Sequence, residues 1–246
     1  MDKNSHNHKH PMTFTRLAAA AAVSAAFALC APVAQAQQAA PLKSDIVAKV
    51  DAMYPWLDAI YKDLHAHPEI AFQEVRTAGK LAAEMRKLGF TVTEKVGKTG
   101  IVAVLKNGAG PTVLVRTDMD GLPMEERTGL PYASRARATS EGRDSFVMHS
   151  CGHDVHMTSW LATARTLVEL KSQWKGTLVF IGQPAEEIVA GAKAMLDDGL
   201  FTRFPKPDYA FALHSWPLAH GTVGFNDGPV SSNSDWLEIT FKGRGG

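Results

Sequence analysis

The sequence predicts an α/β fold in which helices cover both faces of a central sheet. Segments with apolar residues at helical spacing alternate with short apolar segments rich in β-branched residues, and this alternation is typical of such a fold. Of the 246 residues, 45% are apolar and 21% are charged, which excludes a disordered or collagen-like chain. The formal net charge of +1 supplies no basic field for nucleic acid or anionic lipid, so neither is expected as a partner.

The first 36 residues have the features of a cleavable signal peptide. Arg16 precedes an apolar run over residues 17–29, and a small-residue motif, Ala-Gln-Ala, follows at residues 34–36. The apolar run is shorter than a helix that spans a bilayer, although a retained anchor is the alternative. We therefore expect cleavage after Ala36, export to the periplasm or the medium, and no membrane attachment of the mature chain.

Two amphipathic helices and three strands are predicted next. Residues 43–64 and 75–88 place apolar side chains at helical spacing, and Gly89 ends the second helix. Glycine-containing turns then separate three segments rich in β-branched residues. These segments predict strands of one sheet at residues 91–95, 101–106 and 112–117.

The remaining elements continue the alternation. A helix is predicted over residues 154–171, with Asp154 as its N-cap and Val155 on its apolar face. A buried strand, a helix and another strand follow at residues 177–181, 190–197 and 209–213. Residues 236–242 alternate like a half-buried strand that opens a second domain near Val230. The alternative is that this strand becomes the last edge of the main sheet.

A cluster of metal-ligand residue types precedes the helix at 154–171. Cys151 and His153 are two residues apart on a loop beside the helix start, where both can turn toward one cation. The helix dipole at that position favours a thiolate. Cys151 is also the one cysteine that remains after residue 36, so no intramolecular disulfide can form in the mature chain. The alternative is a buried thiol with capping neighbours.

Carboxylates and a histidine follow the ends of three predicted strands. Glu186 and Glu187 lie beyond the strand at 177–181, where open α/β sheets place their sites. Glu187 can hold a cation while Glu186 takes a proton from water; otherwise the pair is a solvated surface. The strands at 112–117 and 209–213 deliver three further side chains: Asp118, Asp120 and His214. This convergence predicts a metal-dependent hydrolase.

Four motifs, in this order, resemble those of the M20 metallopeptidase family, in the amidohydrolase branch that cleaves N-acyl amino acids. They are Thr117-Asp118-Met119-Asp120-Gly121-Leu122-Pro123, His149-Ser150-Cys151-Gly152-His153-Asp154, Gly182-Gln183-Pro184-Ala185-Glu186-Glu187 and Leu213-His214-Ser215-Trp216-Pro217. The segment at residues 63–69 resembles the opening helix and loop of that branch. The resemblance implies a central mixed sheet flanked by helices, as in metal-dependent exopeptidases, over residues 37–229. Residues 230–246 would then begin an α+β lid and dimerisation domain.

The resemblance also implies a site for two divalent transition metal ions, which could be zinc, manganese, nickel or cobalt. Four residues match the family's metal ligands: Cys151, His153, Glu187 and His214. Glu186 matches the general acid and base, and Asp120 matches the carboxylate that orients a ligand histidine or cysteine. Asp118 stands where other branches carry a ligand histidine and is not assigned as a ligand. Four further histidines stay unassigned: His65, His67, His149 and His156.

The implied activity is hydrolysis of the amide bond of N-acyl amino acids, such as hippurate or N-acetyl amino acids, by water that the metal activates and Glu186 deprotonates. The partners implied are this small-molecule substrate and a second subunit, which would form a homodimer through the lid. Family members are much longer and carry a further ligand histidine after the lid, so we expect this chain to be a fragment. Two alternatives remain, namely a metal-dependent dipeptidase or exopeptidase, and a truncated, non-catalytic metal-binding remnant.

Overall fold

The computed structural model describes residues 42–230 and 237–244. The predicted signal peptide lies outside these residues. Within the described ranges, no helix combines the length and the apolar character needed to cross a membrane.

The described part of the chain contains a five-stranded mixed sheet and a separate two-stranded hairpin. In chain order the strands are β1 (Thr91–Val96), β2 (Gly100–Asn107), β3 (Thr112–Asp118), β4 (Arg137–Ser140), β5 (Arg143–Phe146), β6 (Gly176–Gln183) and β7 (Tyr209–Ala212). The main sheet has the order β1-β2-β6-β3-β7, and β4 pairs with β5. Strands β3, β6 and β7 run parallel, whereas β2 is antiparallel to both β1 and β6. The predicted α/β class with a mixed sheet is confirmed.

Helices cover both faces of this sheet. They are α1 (residues 42–66), α2 (Val75–Lys87), α3 (His153–Glu169), α4 (Gly191–Asp197) and α5 (Leu200–Arg203). Helices α1, α2 and α3 pack on one face around Phe180, which contacts Phe90 and Trp160 edge to face at centroid distances of 5.4 and 5.3 Å. Helices α4 and α5 cover the other face through Met195 and Leu200. Because β6 is buried on both faces, its central residues 178–181 form a continuous apolar run rather than an alternating pattern.

Two details of the predicted helix at 154–171 are corrected by the structure. Its N-cap is Gly152, in the left-handed region at φ +80°, and no side chain caps the helix. Asp154 lies inside the first turn, where its carboxylate contacts His65 instead. Val155 is 42% exposed, because it lies on the outer side of the helix.

The strand predicted at residues 236–242 is wrong for the residues that the structure describes. Residues 237–244 form no regular secondary structure, and Leu237 and Phe241 are exposed. A strand needs a neighbour to pair with, and none of the described strands pairs with this segment. Residue 236 lies outside the described residues.

The β4–β5 hairpin was not predicted, because its short strands carry mostly polar and charged side chains.

Candidate metal centre

Three parallel strands deliver the predicted site residues to one edge of the sheet. In the pairing of β3 with β6, Asp118 lies opposite Gln183, so the loops that follow both strands begin at the same level. Strand β7 continues the parallel arrangement beside β3, and His214 follows it by two residues. Helix α3 begins at His153 near the same edge. The predicted meeting of strand ends and helix start is therefore observed.

His153 presents a free ring nitrogen to this edge. Its side chain is buried, and its Nδ1 lies 2.7 Å from the backbone oxygen of Asp120, to which it donates as the protonated nitrogen. The other ring nitrogen, Nε2, has no hydrogen-bond partner within the described residues. In the neutral imidazole this leaves the lone pair on Nε2, which is the arrangement typical of a metal ligand whose second nitrogen is held by the protein.

Cys151, His153 and Glu187 form one compact set of donors. One ligand atom from each lies within 4.8 Å of the others, and the distance from His153 Nε2 to Glu187 Oε1 is 3.8 Å. Glu187 Oε1 is buried and also lacks a hydrogen-bond partner in the described part of the chain. Thiolate, imidazole and carboxylate at this spacing fit a divalent transition metal ion.

The electrostatics of this set favour a positive charge. Burial and the neighbouring Glu187 raise the pKa of the Cys151 thiol to about 12, so the thiolate expected from the helix dipole is not favoured in the metal-free chain. Burial likewise raises the pKa of Glu187. Burial alone would lower the pKa of His153, but Asp120 and Asp118 raise it above its usual value. Protonation is favoured at all three groups, mainly by burial at Cys151 and Glu187 and by the neighbouring carboxylates at His153, and a bound cation would likewise offset the negative charge of the deprotonated ligands.

Asp120 forms hydrogen bonds both with His153 and with the glutamate loop, which is the segment after β6 that carries Glu186 and Glu187. Its carboxylate accepts the backbone N–H groups of Glu186 and Glu187, each at 3.0 Å. Its backbone oxygen accepts the ring Nδ1–H of His153. The orienting contact to the histidine thus runs through the main chain at 2.7 Å, while the nearer carboxylate oxygen is 3.6 Å away. Glu186 has a side chain 36% exposed, with its Oε2 3.7 Å from His153 Nε2, so this carboxylate reaches both the centre and solvent.

A second group near His153 is engaged in contacts within the protein. One carboxylate oxygen of Asp118 accepts from His156 Nδ1 and the other from Arg116, both at 2.7 Å. Burial would raise the pKa of Asp118, but the His156 hydrogen bond and Arg116 hold it well below its usual range. His156 Nε2 in turn accepts the backbone N–H of Ser215 at 2.7 Å. Asp118 and His156 therefore act as a support beside the centre in this arrangement.

His214, a predicted ligand, lies at the rim of this second group. Its ring centroid is 4.5 Å from that of His156 and 6.0 Å from that of His153, and its side chain is exposed. Its Nδ1 donates to the backbone oxygen of Ser215 at 2.7 Å. His214 belongs to a set of possible ligands with Asp118, His153 and His156, whereas Cys151 and Glu187 belong to the other set. Only His153 is shared by both sets.

A buried histidine and two carboxylates lie behind the helix start. His65 Nδ1 is 2.7 Å from Asp154 and His65 Nε2 is 3.0 Å from Glu126, so the ring bridges two acids. His149 is also buried, and burial lowers its pKa to about 4. His67, from the same motif as His65, is exposed. The sequence pattern did not show Glu126, because a pair of glutamates in a charged loop, here Glu125 and Glu126, is usually a solvated surface.

Comparison with known proteins identifies the family. Residues 114–243 match the sequence profile of peptidase family M20/M25/M40. The chain belongs to this family. The M20 chain is 39% identical to the N-acetylcysteine deacetylase of Bacillus subtilis over 188 residues, which cover 75% of this chain and 47% of that protein. It is 40% identical to the hippurate hydrolase of Campylobacter jejuni over 191 residues, which cover 77% of this chain and 47% of that enzyme.

A solved structure agrees with both fold and family. The M20 chain is similar to a Bacillus subtilis protein described as a dinuclear metal binding peptidase from the M20 family, with 38% identity and a TM-score of 0.55. The similarity covers 61% of this chain and 40% of that one. The predicted family and its amidohydrolase branch are confirmed. The M20 chain spans about half the length of the curated relatives it matches.

Proposed function

We propose that the protein to which this chain belongs is a metal-dependent amidohydrolase that cleaves the amide bond of N-acyl amino acids. The observation that carries the proposal is a pair of buried ligand atoms, His153 Nε2 and Glu187 Oε1, which have no hydrogen-bond partner among the described residues and lie beside the Cys151 thiol. The relatives named for deacetylation of N-acetylcysteine and hydrolysis of hippurate support the substrate class.

The residues divide the work between binding and proton transfer. Cys151, His153 and Glu187 would hold the metal, which when bound polarises the amide carbonyl and lowers the pKa of water. Glu186 is positioned to accept a proton from the attacking water and to return it to the leaving amine, because its carboxylate is close to His153 yet still exposed. Asp120 fixes the loop that carries Glu186 and so limits the motion of the proton acceptor.

We infer that two ions take part, with His214 as a ligand of the second. Support comes from His214, whose ring centroid lies 6.0 Å from that of His153, and from the similar structure described as dinuclear. Metal analysis of the protein isolated without added metal would identify the ions among zinc, manganese, nickel and cobalt.

The test compares Glu186→Gln with the parent protein, expressed with its complete coding sequence. We expect kcat for N-acetyl amino acids or hippurate to fall by 100-fold or more, on the order of a general base contribution, while the bound metal is unchanged. Glu125→Gln, at an exposed site outside both donor sets, is the matched control and should keep full activity.

Three results would contradict the proposal. Full activity of Glu186→Gln with metal retained would remove its assigned role. Preferential cleavage of dipeptides over N-acyl amino acids would favour the exopeptidase alternative. Stoichiometric metal binding without turnover of any N-acyl amino acid or dipeptide would favour a metal-binding remnant.

We also propose that the mature protein begins after Ala36, is exported, and forms a homodimer. Intact-mass analysis of the periplasmic fraction tests the cleavage site, and light scattering during size-exclusion chromatography tests the dimer. A cytoplasmic protein that retains residues 1–36, or a monomer at micromolar concentration, would contradict the respective proposals.

A further inference from the structure

Glu74 is a fully buried glutamate that contacts the loop of the metal centre. It immediately precedes helix α2, and its relative exposure is 0%. Its Oε1 accepts the backbone N–H of Ala185 at 2.7 Å, and its Oε2 accepts the hydroxyl of Thr99. Burial of a carboxylate is costly unless its oxygens are paired, and both oxygens of Glu74 are paired.

Glu74 does not act as the cap of its own helix. No side-chain cap hydrogen bond is made from this position. The free N–H groups at the start of α2 are instead accepted by Glu69, whose carboxylate binds the backbone of Arg76 at 3.0 Å and of Thr77 at 2.8 Å. The contact of Glu74 with Ala185 therefore serves another part of the molecule.

Ala185 occupies a backbone conformation that must be held in place. Its φ is +46°, in the left-handed region that non-glycine residues rarely adopt and that is strained for them. Its backbone oxygen accepts the N–H of Gly191 at 3.0 Å, so Glu74 and Gly191 hold Ala185 from opposite ends.

The contact extends the support that Asp120 provides. Asp120 accepts the next two N–H groups, those of Glu186 and Glu187. Three consecutive N–H groups are thus held by two buried carboxylates, and the first is held by Glu74. The turn at Ala185 determines the direction in which Glu186 and Glu187 leave the sheet.

We propose that Glu74 is a positioning residue, which acts through Ala185 to place the proposed general base Glu186 and the proposed ligand Glu187. The proposal rests on the proposed function for the roles of those two glutamates. Glu74 supplies an acceptor oxygen at hydrogen-bond distance from the N–H of Ala185. This hydrogen bond requires an acceptor oxygen but not a negative charge.

The experiment distinguishes the effect of side-chain length from the effect of charge at residue 74. Glu74→Gln keeps the side-chain length and an acceptor oxygen, and its amide can donate to Thr99. Glu74→Asp keeps the charge but is one methylene too short. The two variants are compared with the parent by zinc dissociation constant, measured by competition with a chromophoric chelator, and by kcat and KM for an N-acyl amino acid.

We expect Glu74→Asp to weaken zinc binding by about 10- to 100-fold, the usual effect of losing a partner that orients a ligand. Its kcat should fall by on the order of 100-fold, as for a misplaced catalytic group, with KM within about threefold. Glu74→Gln should stay within about threefold of the parent in all three quantities, because the hydrogen bond to Ala185 is retained.

Glu69→Ala is the structural control, because it removes two hydrogen bonds from the start of the same helix without touching the loop. It should lower the melting temperature and leave the zinc affinity unchanged. A Glu74→Asp variant with parental zinc affinity and kcat, or a Glu74→Gln variant as impaired as Glu74→Asp, would overturn the proposal. The zinc measurement decides the matter even if no substrate is cleaved, so failure of the proposed function and failure of this proposal are distinguishable.

Discussion

The Nε2 atom of His153 and the Oε1 atom of Glu187 lie 3.8 Å apart, buried, and neither has a hydrogen-bond partner in the described part of the chain. A buried polar atom without a partner destabilises a protein by about 1–3 kcal/mol. A protein that keeps two such atoms face to face gains from any cation that contacts both. This relationship sets the first prediction.

Loss of the Glu187 negative charge or of the His153 ring should abolish tight metal binding. We expect Glu187→Gln and His153→Ala each to reduce metal affinity by more than the 10- to 100-fold typical of outer partners. The measurement is metal content by mass spectrometry after dialysis against a weak chelator. Glu141→Gln, at an exposed turn, is the control and should retain the parental metal stoichiometry. Parental stoichiometry in Glu187→Gln and His153→Ala would show that these two residues are not ligands.

Metal binding should release a proton from Cys151. Because burial and Glu187 raise the pKa of this thiol to about 12 in the metal-free chain, it is protonated at pH 8, whereas a metal ligand must be a thiolate. Affinity should therefore rise with pH. Calorimetry in buffers of different ionisation enthalpy should show about one proton fewer released by Cys151→Ser. An unchanged proton count would show that the thiol is not a ligand.

Stability should depend on the protonation of His65. Burial lowers the pKa of His65, but Glu126 and Asp154 more than compensate, so the folded pKa lies above the unfolded value. The stabilisation is then fully present below the unfolded pKa of about 6.5 and is lost as pH rises through the folded pKa. We expect the melting temperature of the parent to fall over this window and that of His65→Gln to change less.

His67→Gln is the matched control for this prediction, because His67 is exposed and belongs to the same motif. It should keep the parental pH profile. If His65→Gln shows the same slope as the parent, the buried ion pairs do not determine the pH dependence.

Substitution of Gly191 should displace the glutamate loop. A Cβ at this position would lie 1.5 Å from the backbone oxygen of Pro184, which cannot move without shifting the residues that follow it. We expect Gly191→Ala to destabilise the fold by about 1–3 kcal/mol and to weaken metal binding. Gly79→Ala is the control, because it meets no atom within 4 Å and should stabilise helix α2 by about 0.5–1 kcal/mol. Chemical denaturation and metal titration measure both effects, and a neutral Gly191→Ala would contradict the packing described.

The sequence predicts those parts of the fold that local pattern determines. Helical spacing and β-branched segments place the five strands of the main sheet correctly, and the rule that sites follow strand ends brings Asp118, Glu186 and His214 to one edge. The roles given to individual site residues stay predictions. The N-cap was misassigned to Asp154 because residue type alone favours aspartate, whereas here a buried contact with His65 uses that carboxylate.

Long-range contacts could not be inferred from local spacing. Glu74 has the residue type of a solvated helix start, and its burial depends on a partner 111 positions away. Asp118 is likewise held by His156, which a separate helix supplies. Side chains that serve a distant loop have no periodicity of their own, so only the folded chain shows them.

The support of the centre by residues far apart in the chain has a kinetic consequence. Glu74 joins Ala185 across 111 residues, and Asp120 joins Glu186 across 66. Such contacts form only after the entropy of closing long loops has been overcome, so they belong to the late steps of folding. A nascent chain would therefore hold the metal weakly until β6 has docked between β2 and β3. The rate of metal uptake during refolding would then report the moment at which the sheet closes.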